Sequence, residues 1–257
     1  MKPEEVISEV LRTVANAAKP GITLLELDRI AENSISIMGA VPYNKGYHPN
    51  WAPLPYPATL CIGLNDTFCH GIPDDTVIQE GDLLNIDCGI KIDGKCGDAA
   101  LTIPIGEVAN KHDRLLRYAK RALYKGISVI KDGVMVSEIG KAIEKYTMQM
   151  GYVVNRNMRG HGIGEEMHQY PIIPHYDWLM DAEKGLIQVA DMELRTGMII
   201  CIEPHITFKD KYGYRTPDGW SMKTRDGKAS AFFEHMVEVM PEGYNILTNH
   251  IVEGEVI

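Results

Sequence analysis

The feature that most constrains the fold is a faint internal repeat, because two similar halves of one chain can bury a common core only around an approximate two-fold axis. Displacing the N-terminal part by 112 residues brings Lys19 onto Lys131, Gly21 onto Gly133, Glu26 onto Glu138, Glu32 onto Glu144, Met38 onto Met150 and Gly39 onto Gly151. Each pair falls in a loop-then-helix setting. Further on, His70-Gly71-Ile72 echoes His161-Gly162-Ile163, and the apolar run ending in Asp87 echoes the one ending in Glu203. Asp98 has a counterpart in Glu234. The changing offsets require insertions. The pattern predicts a single α+β domain over 1–257, made of two helix–helix–strand–hairpin halves at about 1–108 and 109–257.

Local signals agree. Asp93-Gly94 between apolar runs marks a tight hairpin. If those two residues are the whole turn, Ile92 pairs with Lys95 and Gly89 faces Asp98, with Asp87 on the same face along the diagonal. Diagonal neighbours lie roughly 7–8 Å apart, close enough for two carboxylates to converge. Apolar stripes predict helices at 3–18, 110–130 and 136–151. Thr23 with Glu26 is a capping box for another helix, reaching 38–39. Strands are expected at 58–64, 152–155, 198–208, 220–224, 229–240 and 244–248. Residues 41–57 and 174–195 read as long loops.

The repeat has a chemical consequence. Equivalent residues near a two-fold axis meet, so Asp87 with Glu203, Asp98 with Glu234, and His70 with His161 should face one central pocket. A lone strand acid is ordinarily a solvated edge residue, but Asp87 and Glu203 end apolar runs with no Lys or Arg nearby in sequence. Burying such acids unpartnered costs several kcal/mol, so divalent cations are expected between them. His168, seven residues beyond His161, can reach the same pocket. Of the other histidines, His112, His205, His235 and His250 read as helix or strand surface, while His48 and His175 lie in loops and stay unassigned. Carboxylates with one imidazole suit Mn, Fe(II), Co or Zn, and none of the five cysteines is expected as a ligand. Two cations about 3.5–4 Å apart that share a water lower its pKa, which points to metal-assisted hydrolysis.

Composition excludes several classes. A net charge of −9 argues against DNA or general nucleic-acid binding. No apolar run approaches the ~20 residues of a membrane span. Five cysteines without a CxxC pair suit a reducing cytoplasm. With no coiled-coil pattern, a monomer is the default.

The motifs His70-Gly71-Ile72-Pro73, Asn85-Ile86-Asp87, Gly97-Asp98, Gly160-His161-Gly162-Ile163-Gly164, Ile202-Glu203-Pro204 and Lys223-Thr224-Arg225-Asp226 through Glu234-His235 resemble type I methionine aminopeptidase, in order over about residues 19–248. The resemblance implies the pita-bread fold, two α/β halves around a curved antiparallel sheet. It implies Asp87, Asp98, His161, Glu203 and Glu234 as ligands of two divalent metal ions, with Asp98 and Glu234 bridging. Glu203 would shuttle the proton as activated water attacks the first peptide bond of a nascent chain. His168 would stabilise the oxyanion, and His70 would contact the scissile amide. Tyr56, Cys61 and Trp220, with Met167, would hold the methionine side chain. This chain departs from the family at Gly89 and Cys201, where a hydroxyl residue is usual, at Ala99 for threonine, and at Met167 for Phe or Leu. The rival readings are an Xaa-Pro aminopeptidase or prolidase, which would carry an additional N-terminal domain, and a non-catalytic pita-bread binding protein, which would have lost ligands. Lys111, Arg114, Arg117, Lys120, Arg121 and Lys125 crowd one predicted helix, a solvated face or a contact with ribosomal RNA.

Overall fold

Apolar residues three and four apart generate the first layer. In the computed structural model, which describes residues 1–248, helix α1 (Pro3–Ala17) buries Val6, Ile7, Val10, Leu11 and Val14. Helix α2 (Leu24–Ile37) starts where expected: the Thr23 hydroxyl accepts from the Glu26 N–H, and the Glu26 carboxylate accepts from the Thr23 N–H. Short strands β1 (Val41–Pro42), β2 (Leu60–Leu64) and β3 (Thr67–Cys69) lead to the long pair β4 (Leu83–Ile92) and β5 (Lys95–Pro104). Asp93 and Gly94 both take positive φ, 49° and 78°, as the tight turn demands. Ile92 therefore pairs with Lys95, and Gly89 with Asp98. The other edge of β4 is covered by β1 and β2.

The second half repeats the plan. Helices α3 (Asn110–Ile127) and α4 (Val136–Gln149) are followed by β6 (Val153–Val154), β7 (Arg159–Gly162), β8 (Gln169–Pro174) and a short α5 (Leu179–Glu183). Next come β9 (Ile199–Ile202), β10 (Ile206–Thr207), β11 (Tyr214–Arg215), β12 (Met222–Lys223), β13 (Ser230–Ala231), β14 (His235–Met240) and β15 (Gly243–Ile246). Five of these form an antiparallel sheet in the order β15-β14-β9-β7-β8. The strand expected over 198–208 is two strands, interrupted at Glu203-Pro204-His205; proline has no N–H to give a ladder. The strand expected over 229–240 likewise breaks before Glu234, whose N–H instead donates to the Ala100 carbonyl of β5 at 2.9 Å. That bridge ties the two sheets together where the acids cluster.

One apolar core runs through both halves, from Val6 and Leu27 through Leu84 and Ile86 to Leu123, Ile139, Ile200 and Val237. His250 lies outside the described residues. His205 and His235, expected at strand surfaces, are fully buried. His205 follows the Pro204 break and turns inward against Phe232, with ring centroids 4.1 Å apart. Among the described residues no helix is long and apolar enough to cross a membrane.

Candidate active site

Strand alternation gathers the acids. Asp87 is opposite Ala100 in the β4–β5 ladder, and Asp98 is opposite Gly89, so both carboxylates stand on one face. On the neighbouring sheet, His161 of β7 pairs with Cys201 of β9, and directly paired residues share a face. Glu203 and Glu234 follow at the frayed ends of β9 and β14. All five donors line one cavity of about 500 Å³.

Single donor atoms of Asp98, His161 and Glu234 and of the buried Cys201 behind them lie within 4.8 Å of one another. His161 Nε2 is 3.6 Å from Asp98 Oδ2 and 3.9 Å from Glu203 Oε1. Asp87 and Glu203 stand outside the tight quartet, lining the same cavity. The sequence reading placed no cysteine here; Cys201 enters because it occupies the ladder position opposite His161. Glycines make the approach possible. A Cβ on Gly160 would meet the Cys201 carbonyl oxygen at 2.2 Å, and one on Gly162 the Tyr170 carbonyl oxygen at 2.3 Å.

The cluster is electrostatically incomplete. Burial, then Asp98, pushes Asp87 well above the usual carboxylate range; burial, then Asp87 and Asp98, does the same to Glu203. Glu234 is raised by burial first, then by Asp98, Glu203 and Asp87. Among the described residues, the ion-pair partners of these acids are histidines rather than Lys or Arg. Glu234 is 2% exposed and its Oε1 accepts no hydrogen bond. An orphaned acceptor amid repelling acids is what a divalent cation would satisfy, so the donor set fits the metal expected from the sequence.

Two buried histidines hold Glu203 from behind. The Glu203 N–H donates to His175 Nε2 at 3.3 Å, and His205 Nδ1 lies 2.9 Å from the Glu203 carbonyl oxygen. Burial, then His161, lowers His175 to about 3, while burial, then His175 and His70, lowers His205 well below the usual value. Both are therefore neutral near pH 7. The sequence leaves His175 unassigned and puts His205 at a strand surface; the adjacency Glu203-Pro204-His205 is the one available signal.

His70 and His168 are brought to the same cavity. His70 itself takes φ 50°, a region that costs a non-glycine residue about 1–3 kcal/mol, and the next residue is packed so tightly that a Cβ on Gly71 would meet the Ile62 carbonyl oxygen at 2.3 Å. The His168 ring lies 4.5 Å from that of His161. Burial, then His168 and Arg215, lowers His70 to about 4; burial, then His161, lowers His168 to about 4.

Beside the acids is an apolar recess. Cys61 is the ladder partner of Asp87, so it faces the same cavity. Tyr56 meets Trp220 edge-on at 5.0 Å, and its hydroxyl lies 2.7 Å from both the Leu60 and Gly71 carbonyl oxygens. Trp220 Nε1 donates to the Leu54 carbonyl at 2.9 Å. The space left by Gly89 is filled by Met167, whose Cε would lie 2.6 Å from an added Cβ.

Comparison with known proteins places the chain among relatives of one family. The chain is 37% identical to methionine aminopeptidase 1 of Bacillus subtilis over 230 residues, 90% of this chain and 87% of that one. It is 37% identical to the methionine aminopeptidase of Aquifex aeolicus over 96% of this chain and 93% of that one. The methionine aminopeptidase structure from Rickettsia prowazekii superposes with a TM-score of 0.86 at 32% identity, over 96% of this chain and 94% of that one. The prolidase of Pyrococcus furiosus, with a TM-score of 0.68 at 21% identity over 96% of this chain and 61% of that one, shares the fold alone. The pattern of metallopeptidase family M24 matches residues 3–241, and the chain belongs to that family.

Proposed function

We propose that this protein removes the N-terminal methionine from newly made proteins in the cytoplasm by hydrolysing their first peptide bond. The observation that carries the reading is the five-donor carboxylate and imidazole cluster beside an aromatic, sulfur-lined recess, in a chain similar to methionine aminopeptidases along almost its whole length. Asp87, Asp98, His161, Glu203 and Glu234 would hold two divalent cations, drawn from Mn, Fe(II), Co and Zn. A cation bound there supplies charge that lowers the pKa of water and polarises the scissile carbonyl.

The residues do the rest. Glu203, raised by burial and by neighbouring acids, accepts a proton from the attacking water and passes it to the leaving amine. His175 and His205 hold its backbone, so the carboxylate returns to one place between the two transfers. His168, neutral near pH 7, donates one N–H to the oxyanion as it develops, while His70 contacts the scissile amide. Tyr56, Cys61 and Trp220 take the methionine side chain, an unbranched thioether that suits a recess of aromatic rings and sulfur.

The test is release of free methionine from Met-Gly-Met and Met-Pro peptides by metal-loaded protein, with EDTA controls. Release that EDTA abolishes and added metal restores supports the reading. No release from metal-loaded protein would overturn it, and cleavage confined to Xaa-Pro bonds would transfer the chain to the prolidase side of the family.

A further inference from the structure

The acidic chain carries two arginines at the mouth of this cavity, and neither has a carboxylate partner among the described residues. Arg159 opens β7 two residues before His161, so alternation turns it towards the cavity face, which it lines. Arg215, on β11, also lines the cavity and lays its guanidinium 4.1 Å from the ring centroid of Trp51. Trp51 comes from the long loop at 41–57 and is itself seated on the site, stacked 6.1 Å from His70 and edge-on 4.9 Å from Trp220. The ring stack thus fixes a cation beside the residue proposed to contact the scissile amide. Its field is felt there, since Arg215 is among the charges that hold His70 low. In a chain of net charge −9, both of these guanidiniums are exposed and line the same cavity.

Resting on the aminopeptidase reading, we propose that Arg159 and Arg215 form a subsite for an acidic side chain downstream of the methionine, at the third or fourth residue of the substrate. The methionine side chain fills the apolar recess, so the rest of the peptide must leave through the mouth. The ring contacts place the Arg215 guanidinium at most about 10 Å from His70, two to three residues of extended chain at about 3.3 Å each. A guanidinium spread over an indole keeps its edge N–H groups free to hold a carboxylate in a forked pair. A lysine at the same substrate position meets two like charges.

The experiment uses C-terminally amidated peptides Met-Ala-Xaa-Xaa-Ala with Glu, Gln or Lys at the third and fourth residues. Methionine release is measured, and peptide binding is followed separately by isothermal titration calorimetry. For the unaltered protein, Glu peptides should exceed Lys peptides by roughly three- to tenfold in kcat/KM, carried by KM, with the ratio shrinking as salt rises. In Arg215→Gln with Arg159→Gln the ratio should fall towards one, while Arg215→Lys, which keeps the charge and loses the planar stack, should fall between. Equal use of Glu and Lys peptides, or a preference that survives the double substitution, overturns the subsite. Charge-selective binding lost in the double variant, without methionine release from any peptide, would support the subsite and overturn the aminopeptidase reading instead.

Discussion

Removing one negative charge from the carboxylate cluster separates the two things that charge does. A folded-state pKa raised above the unfolded value stabilises the fold at low pH, and the benefit is lost as pH rises through the folded value. Glu234 is in that position, through burial first and then the acids beside it, so the metal-free protein loses this contribution as pH rises. Glu234→Gln should therefore raise the melting temperature of EDTA-treated protein by a few degrees. The same change should weaken divalent-cation binding by about 100-fold or more, above the usual range for loss of a supporting residue. Calorimetric melting and cation titration of one preparation check both. His175 works with the opposite sign. Its folded value of about 3 lies below the unfolded 6.5, so its contribution is full above pH 6.5 and fades as pH falls from there towards 3. His175→Asn should flatten the stability profile of the metal-free protein over that window and lower cation affinity by about 10- to 100-fold, because Glu203 loses its brace. Acid-induced unfolding curves show the first effect. That these five side chains meet in one cavity was legible in the sequence: Asp87 and Glu203 close apolar runs and so demand a partner, while the repeat places Asp98, His161 and Glu234 beside them. His175 and His205 were not, since nothing local in a loop or after a proline says that a histidine will face another residue's backbone.

Among the elements, the opening hairpin was readable to the single residue. Asp93-Gly94 admits one turn geometry, and the turn sets every pairing back to Gly89 and Asp98. Its departure from relatives is explained by its neighbours: the room beside Gly89 belongs to the thioether of Met167, with Asn44 Oδ1 at 3.0 Å from an added Cβ. Gly89→Thr should thus destabilise the protein by roughly 1–3 kcal/mol through overpacking. Paired with Met167→Ala, the same threonine fills the vacated space, and the sign of its effect should reverse. A four-member denaturation cycle reads that coupling. Helix α2 offers a plainer case, for Thr23→Ala removes the acceptor of its capping box and should cost about 1 kcal/mol in urea unfolding. Sequence reading overextended two strands, one broken by its own proline and one by a contact from the other half. Strands over 198–208 and 229–240 look continuous by pattern, yet Pro204 and the Glu234–Ala100 bridge interrupt them, and only the second half's contact with the first reveals the bridge.

At the scale of the molecule, the repeat indicated that two halves share a site, though not that a backbone hydrogen bond would fasten β5 to the start of β14 there. Cations bound between the halves would add to that fastening. Saturating metal at a hundredfold excess over Kd should stabilise the fold by about 2.7 kcal/mol, read as a concentration-dependent rise in melting temperature that EDTA reverses. The basic helix α3 buries Leu115, Leu116, Ala119 and Leu123 and leaves Lys111, Arg114, Arg117, Arg121 and Lys125 exposed. Arg117 pairs with Asp113 at 2.8 Å, as a solvated face would. Reversing those charges should leave cleavage of short peptides unchanged; loss of ribosome co-sedimentation alone would give the face its second role.

The donors stand at positions 87, 98, 161, 203 and 234, and the bond that brings the last one into place reaches back to Ala100. During translation the chain can complete its first hairpin early, with two acids exposed and nothing to share a cation with. A polypeptide halted before Glu234 has the scaffold of four donors and lacks the fifth. On the proposed ligand set, hydrolytic competence arrives only once Glu234 has been made, and a product truncated before it should lack activity rather than keep a weakened form of it.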